Sequence, residues 1–475
     1  MSHNPSTPAT RSFLPAAFAS VMGWSFDLFD LFLLLYVAGP VSSAIFPANS
    51  KTLSLALVFA SFAVSILMRP GGAAFFCELA DRVGRKKIMV TVLAGVGLST
   101  AALGLVPTHQ AIGVTAPIIF LVIRIVQGLF VGGVTATTHT LGTESVPPRW
   151  RGLMSGLVGG GGAGLGAAMA SIAFIAISAL FPGDSFDSWG WRVMFFTGLV
   201  GAALSLFVLR KVEESPMWLE AKAAAEASGV TAPTEKMHFK DLFTGKLRVI
   251  TLINIAVAAG AGAQYYLTSG FMPTLLDSVV KVPAASRGWI LLVASLVVVV
   301  SATAAGELSE HLGRRRTMLL VGGVNVIGLP LVTLALAASD PSDTGRILGL
   351  GCLLAFLANA AYAPVMIFLN ERYPTAIRSR GTAISWNTGF MLGGLLPTFV
   401  NLLSPQVADI PSRLAIFIAV SALVFIVVVA LSPETRGGLD RLPALDAGDE
   451  SEAAQMRTAE PLSRTDSNAP EGTLP

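Results

Sequence analysis

Two carboxylates three residues apart, Asp27 and Asp30, stand inside an otherwise apolar stretch that reads MGWSFDLFDLFLLLY from Met22 to Tyr36. Two arginines, Arg69 and Arg124, stand in later apolar stretches that read ILMRPGG and LVIRIVQG. The chemistry open to such a set is reversible protonation, because a carboxylate exists in two protonation states while a guanidinium keeps its charge. A charge at the middle of a hydrocarbon layer costs roughly 2.5 to 3.5 kcal/mol on insertion scales, so each of these groups needs a partner or a watery cavity. A helical spacing of three puts both acids on one face. The apolar run over 15–39 is long enough to cross a bilayer at 1.5 Å per residue, which brings the acids near its midplane. Arg69 lies nine residues ahead of Glu78, about 13 Å along a helix, and Arg124 lies about eleven residues into its own run. The expectation is one layer of four ionisable groups whose opposite charges compensate one another.

The elements that must position this layer follow from composition. Of 475 residues, 53% are hydrophobic and only 13% charged, against about 25% charged in soluble proteins, and the mean hydropathy is +0.69. The sequence predicts an all-α integral membrane protein with twelve spans, at 15–39, 53–77, 88–106, 113–140, 152–181, 191–210, 249–270, 287–306, 317–338, 345–370, 381–403 and 413–432. A polar segment divides them six and six. The predicted organisation is an N-terminal segment 1–14, a six-helix domain 15–210, a central loop 211–248, a second six-helix domain 249–432 and a disordered tail 433–475. Most of the 32 Lys and Arg fall in one set of loops, among them Arg82, Arg85, Lys86, Lys87, Arg314, Arg315 and Arg316. The positive-inside rule puts that set, both termini and the central loop in the cytoplasm.

The halves echo one another. CELADRVGRKK from Cys77 recurs as GELSEHLGRRR from Gly306, Glu144, Pro147 and Arg151 recur as Glu371, Pro374 and Arg378, and EESPMWL from Glu213 corresponds to SPETRGG from Ser432. Matched landmarks at a near-constant offset mean two pseudo-symmetric six-helix repeats. A net charge of +3 without an arginine-rich face argues against nucleic acid, and the two cysteines in apolar surroundings indicate neither a disulfide nor a metal site. Gly159, Gly161 and Gly164 satisfy GxGxxG inside an apolar span with no strand before it, where small residues for helix packing are the better account. There is no P-loop for ATP-driven pumping.

Taken in order, MRPGG at Met68, LADRVGRKK at Leu79, GLVPTHQAIGVTAPI at Gly104, RIVQGLFVGG at Arg124, WGWR at Trp189 and EESP at Glu213 resemble the major facilitator superfamily. Within it, the set is most similar to the metabolite:proton symporters, over about residues 20–440. Two departures stand out. GGVTAT from Gly132 replaces that family's GGEWGG, so Val134 stands where an acid is expected, and DLFD from Asp27 is closer to the sialate, lactate and aromatic acid symporters than to EWYD. The resemblance implies that Arg124 pairs with Asp30, either as a fixed ion pair or as a working one in which a substrate anion draws Arg124 away and Asp30 takes a proton. Asp27 and Asp30 are close enough to titrate as a pair.

Arg69 is the candidate for a substrate carboxylate, since guanidinium offers that group a bidentate fork; alternatively MRPGG pins a bend. The C-terminal half offers Gln264, Tyr265, Tyr266, Asn359, Tyr362, Trp386 and Asn387, as a neutral chamber wall or as glue between helices. Asp81 with Arg85 and Glu310 with Arg314 resemble the superfamily's cytoplasmic gate, which latches the two domains. The expected function is a proton-coupled symporter, not an enzyme, that imports a small organic acid across a bacterial-type inner membrane as a monomer, driven by the proton gradient and needing no cofactor. A proton antiporter exporting a drug or metabolite and a nontransporting nutrient sensor are the alternatives.

Overall fold

The computed structural model describes residues 13–146, 154, 157–214, 219, 242–373 and 378–436. The first twelve residues, most of the 211–248 loop, the tail from 437, Pro147, Arg151 and Pro374, and the side chains of Asp81, Glu144 and Arg378 lie outside the described residues. The described elements are helices: α1 (Leu14–Tyr36), α2 (Lys51–Val83), α3 (Arg85–Gly104), α4 (Thr115–Ser145), α5 (Gly162–Leu180) and α6 (Trp191–Phe196 continuing as Leu199–Lys211). After the central loop come α7 (Gly245–Tyr265), α8 (Ala284–Leu312), α9 (Arg314–Ala337), α10 (Thr344–Tyr362 continuing as Val365–Glu371), α11 (Arg378–Gly394 continuing as Leu396–Leu402) and α12 (Ile410–Ala430).

Eleven of the described stretches are long and apolar enough to cross a membrane, and α11 is the exception. Its first segment carries Arg380, Thr382, Ser385 and Asn387, and the helix breaks at Leu395 ahead of Pro397. A helix this polar crosses lipid only inside a bundle, and α11 is enclosed by α7 and α2. Elsewhere the lipid side is plain. Leu98, Ile118, Ile172, Val300, Ile327 and Val420 are exposed, an aliphatic belt that suits hydrocarbon rather than water.

The sequence echo is a structural one. In the first half α1 packs on α5, α2 on α4 and α3 on α6; in the second α7 packs on α11, α8 on α10 and α9 on α12. The two landmark loops are built alike. Gly84 and Gly313 cap α2 and α8 at φ 112° and 97°, a backbone region that side-chain-bearing residues avoid. A glutamate from the end of each half then accepts the first free N–H groups of the next helix: Glu214 from Arg85 and Lys86, and Glu434 from Arg314 and Arg315. A carboxylate there satisfies orphan donors and complements the helix dipole.

The halves meet along α5 with α8 and α2 with α11. Near one end Gly160 faces Ala302 and Cys77 clusters with Ala383; near the other, Gly288 faces Ile175 and Phe174. The halves are thus in contact toward both ends of this seam. Within the first half, the glycines of MRPGG and RIVQGLFVGG let α2 and α4 touch backbone to backbone: a methyl on Gly72 would overlap Leu129, on Gly128 Ser65, and on Gly132 the carbonyl of Arg69. Close approach of this kind is what small residues supply in membranes. Gly128→Ala is expected to lower stability by about 1 to 3 kcal/mol through overpacking, read as a fall in thermal midpoint in detergent, whereas Gly323→Ala, with open space around it, leaves the midpoint unchanged.

Candidate functional site

All four expected charges are buried in the first half: Arg124 is 1% exposed, Asp27 2%, Asp30 5% and Arg69 7%. Their pairing differs from the expectation. Asp27 on α1 takes Arg69 of α2 as its direct partner, Nη2 to Oδ1 at 3.2 Å. Asp30 and Arg124 are joined through Gln127 and not directly: Arg124 Nη1 donates to Gln127 Oε1 at 2.6 Å, and Gln127 Nε2 donates to Asp30 Oδ1 at 2.7 Å. Thr100 of α3 also donates its hydroxyl to Asp30 Oδ1. The reason is helical register. Three residues at 3.6 per turn leave the two acids about 60° apart, so Asp27 is turned to α2 and Asp30 to α3 and α4. An amide can donate and accept at once, so Gln127 fits between the guanidinium and the carboxylate.

The layer is neutral as a whole, with two acids and two guanidinium groups, yet its hydrogen bonding is incomplete. Arg69 Nε, Arg124 Nε and Nη2, and Asp27 Oδ1 are buried without a hydrogen-bond partner. Arg124 leans on the face of Phe120 at 5.6 Å. Unused donors on a buried guanidinium are what an anionic ligand would satisfy.

Across from this layer the second half presents aromatic rings. Tyr265 and Tyr266 sit where α7 passes into a π-helical turn, Tyr266–Gly270, a local widening common at functional sites. Tyr265 stacks on Tyr362 at 5.6 Å and meets Phe32 of α1 at 6.2 Å, Tyr266 meets Phe62 of α2 at 5.5 Å, and Trp386 stacks on Phe390 at 4.2 Å while meeting Trp24 of α1 at 6.1 Å. These rings close the space between the halves, leaving a cavity of about 20 Å³ lined by Tyr36, Tyr265, Ser269 and Ser295 among others, enough for about one water.

The amides divide. Asn359 donates to Ser269 Oγ at 3.1 Å beside the cavity. Gln264, for which the sequence leaves chamber wall and helix glue open, accepts from Asn325 of α9 at 3.0 Å, and Asn387 donates to the carbonyl of Ala383 in its own helix at 2.9 Å. Of the gate residues, Glu310 and Arg314 stay on their own side. Arg314 reaches Glu310 at 2.5 Å, Ser309 at 2.7 Å and Glu371 at 3.4 Å, all in the second half, so the expected latch between halves is not what Arg314 forms here. Arg85 offers its backbone N–H to Glu214.

Sequence reading missed Gln127, Thr100 and the hydroxyl pair of Tyr36 and Ser171, whose oxygens lie 2.6 Å apart between α1 and α5. Gln127 was findable, standing one helical turn past Arg124 on the same face. Thr100 and Ser171 carry no such signal.

Residues 16–439 match the family model described as "Sugar (and other) transporter". The chain belongs to that transporter family, within the major facilitator superfamily. As a family member it is a multi-pass membrane transporter of small molecules and not an enzyme. It is 30% identical over 389 residues to the inner membrane metabolite transport protein YhjE of Escherichia coli strain K12, covering 80% of this chain and 86% of that one. It is 28% identical over 412 residues to the proline/betaine transporter of the same strain, covering 86% and 81%. Among solved structures, the proton:xylose symporter XylE bound to 6-bromo-6-deoxy-D-glucose matches with a TM-score of 0.70 at 16% identity, over 91% of this chain and 98% of that one. That likeness is one of fold.

In this transporter the ion layer carries a stability consequence. Asp27→Asn leaves Arg69 buried without its counter-charge and is expected to cost about 3 to 5 kcal/mol; adding Arg69→Met to that variant restores much of the loss, measured by thermal unfolding in detergent.

Proposed function

We propose that this transporter is a proton symporter that imports a small organic acid, zwitterionic acids included, by alternating access. The observation that carries the reading is the neutral buried layer of Asp27, Asp30, Arg69 and Arg124 with guanidinium donors left unused. A carboxylate arriving in the chamber completes the bonding of Arg69 by displacing Asp27. The displaced acid then either stays charged in a dry chamber, at high cost, or takes a proton. Substrate and proton thus favour each other's binding, and the loaded layer is again neutral. The compounds named for the proline/betaine relative both carry a carboxylate, which agrees with this chemistry. Tyr265, Tyr362 and Trp386 supply apolar faces for the body of the substrate, and Tyr266 and Asn359 supply polar contacts at its edge.

The same reading has the protein as a monomer in a bacterial inner membrane, with segments 1–14, 211–248 and 433–475 on the cytoplasmic side and six-helix domains over 15–210 and 249–432. Each unit of pH gradient is worth about 1.4 kcal/mol, close to a tenfold concentration per proton carried.

In vesicles with an imposed pH gradient, a panel of lactate, benzoate, sialate, proline and glycine betaine is expected to contain a compound that is accumulated and alkalinises the outside as it enters. Export driven by the gradient, or no flux with any member, refutes the symport reading. Asp30→Asn is expected to abolish proton-driven accumulation of that compound while sparing exchange of internal for external label; unchanged accumulation removes Asp30 from the proton site.

A further inference from the structure

The four buried charges do not all open toward the chamber between the halves. Behind α1, on the side of α3, α4 and α6, lies a second void of about 10 Å³ lined only by first-half residues, with Asp27, Asp30 and Thr100 as its polar groups. That volume is at the threshold for one water, and a buried water needs two to four polar partners. Both acids have capacity to spare on that account. Asp27 Oδ1 is taken by Arg69 at 3.2 Å, and the hydrogen bonds to Asp30 from Thr100 and Gln127 both fall on Oδ1, so the second oxygen of each carboxylate is uncommitted among the described residues.

Three glycines complete the wall: Gly97, Gly198 and Gly201. Two of them are explained by the close crossing of α3 and α6, since a methyl on Gly97 would lie 2.5 Å from the backbone nitrogen of Ala202 and one on Gly198 would lie 2.7 Å from Thr100 Cβ. Gly201 is different. A methyl there would meet Phe26 Cδ1 at 3.3 Å, a tight contact that a small shift of that ring relieves, and Gly97 Cα at 3.9 Å, so no backbone clash holds this position to glycine, and a side chain there would take up room at the wall of the void.

We propose that this void is a hydration site whose single water passes a proton between Asp30 and Asp27 behind α1, separately from the substrate chamber. The proposal rests on the symport reading and adds the route by which the two acids exchange their proton. When Asp30 is protonated, its O–H bond breaks as the water gains that proton, and a different proton of the water passes to Asp27, leaving the water as it was. Neutral Asp27 no longer holds Arg69 by charge, and Arg69 is then free to grip a carboxylate in the chamber; the reverse transfer restores the ion pair. The charged groups that face the two acids are Arg69 from α2 and Arg124 from α4, and the titratable phenols nearest Asp27 on the α7 side are Tyr265 and Tyr266; the wall from α3 and α6 brings no charge among the described residues.

Gly201→Ala adds a methyl at the wall of the void, where its nearest neighbours are Phe26 and Gly97 and not the acids. With the compound that the carboxylate panel identifies, its proton-driven initial uptake is expected to fall about tenfold or more, positioned proton-transfer groups being worth typically a hundredfold and upward to a step they limit. Exchange of label, which needs no net proton movement, stays close to wild type and shows that the variant is folded. Gly323→Ala should alter neither. Wild-type uptake in Gly201→Ala, or equal loss of uptake and exchange, overturns the relay. So does an experimental density map that shows the space between Asp27 and Asp30 dry. If Asp30→Asn abolishes accumulation while Gly201→Ala does not affect it, the relay falls and the symport reading stands; if Asp30→Asn leaves accumulation unchanged, the relay falls with the proton role of Asp30, and the symport reading falls only if the wild type accumulates no member of the panel.

Discussion

The organisation of this transporter depends on how α1 keeps two acids in the middle of a membrane. Asp27 and Asp30 differ by about 60° around the helix, and each direction meets a different answer to the same electrostatic problem. Asp27 faces a guanidinium outright, Arg69 at 3.2 Å. Asp30 faces an amide and a hydroxyl, with the second guanidinium one residue further back behind Gln127. The first arrangement is a direct ion pair; the second reaches its guanidinium only through the amide of Gln127.

Positioning this layer demands that two helices approach more closely than ordinary side chains allow. Gly72, Gly128 and Gly132 let α2 and α4 cross with backbone atoms in contact, and that crossing sets the depth at which Arg69 and Arg124 emerge. The glycines of the two motifs and the arginines within them therefore belong to one device: the former fix the spacing of the latter. On the opposite wall the demand is reversed, and bulky rings on α7, α10 and α11 fill the space between the halves.

Much of this was legible in the sequence for identifiable reasons. A twenty-residue apolar run has few alternatives, so the spans were readable, and the duplicated loop with its glycine could be seen because positive φ at Gly84 and Gly313 tolerates little else. The burial of four charges followed from their depth alone. The partners did not, since pairing depends on helix rotation and on neighbours distant in the chain: Asp30 meets Thr100 and Gln127, a combination no local pattern announces. The same limit explains Gln264, whose side chain is turned away from its neighbours Tyr265 and Tyr266 toward Asn325; one residue of register on a helix is a rotation of about 100°. The break in α11 at Leu395 was hidden for another reason, because its polar residues are sheltered by protein and an apolarity count treats all surroundings as lipid.

Among the described residues, the carboxylates and guanidinium groups of the buried layer come from the first half, while the wall facing them is made of rings, amides and hydroxyls. Such a division of labour leaves the second half free to vary. Under the proposed mechanism, substitutions at Tyr362, Trp386 or Asn359 would reshape what fits without disturbing the charge balance, so a lineage carrying this scaffold could exchange one cargo for another and keep the same power supply.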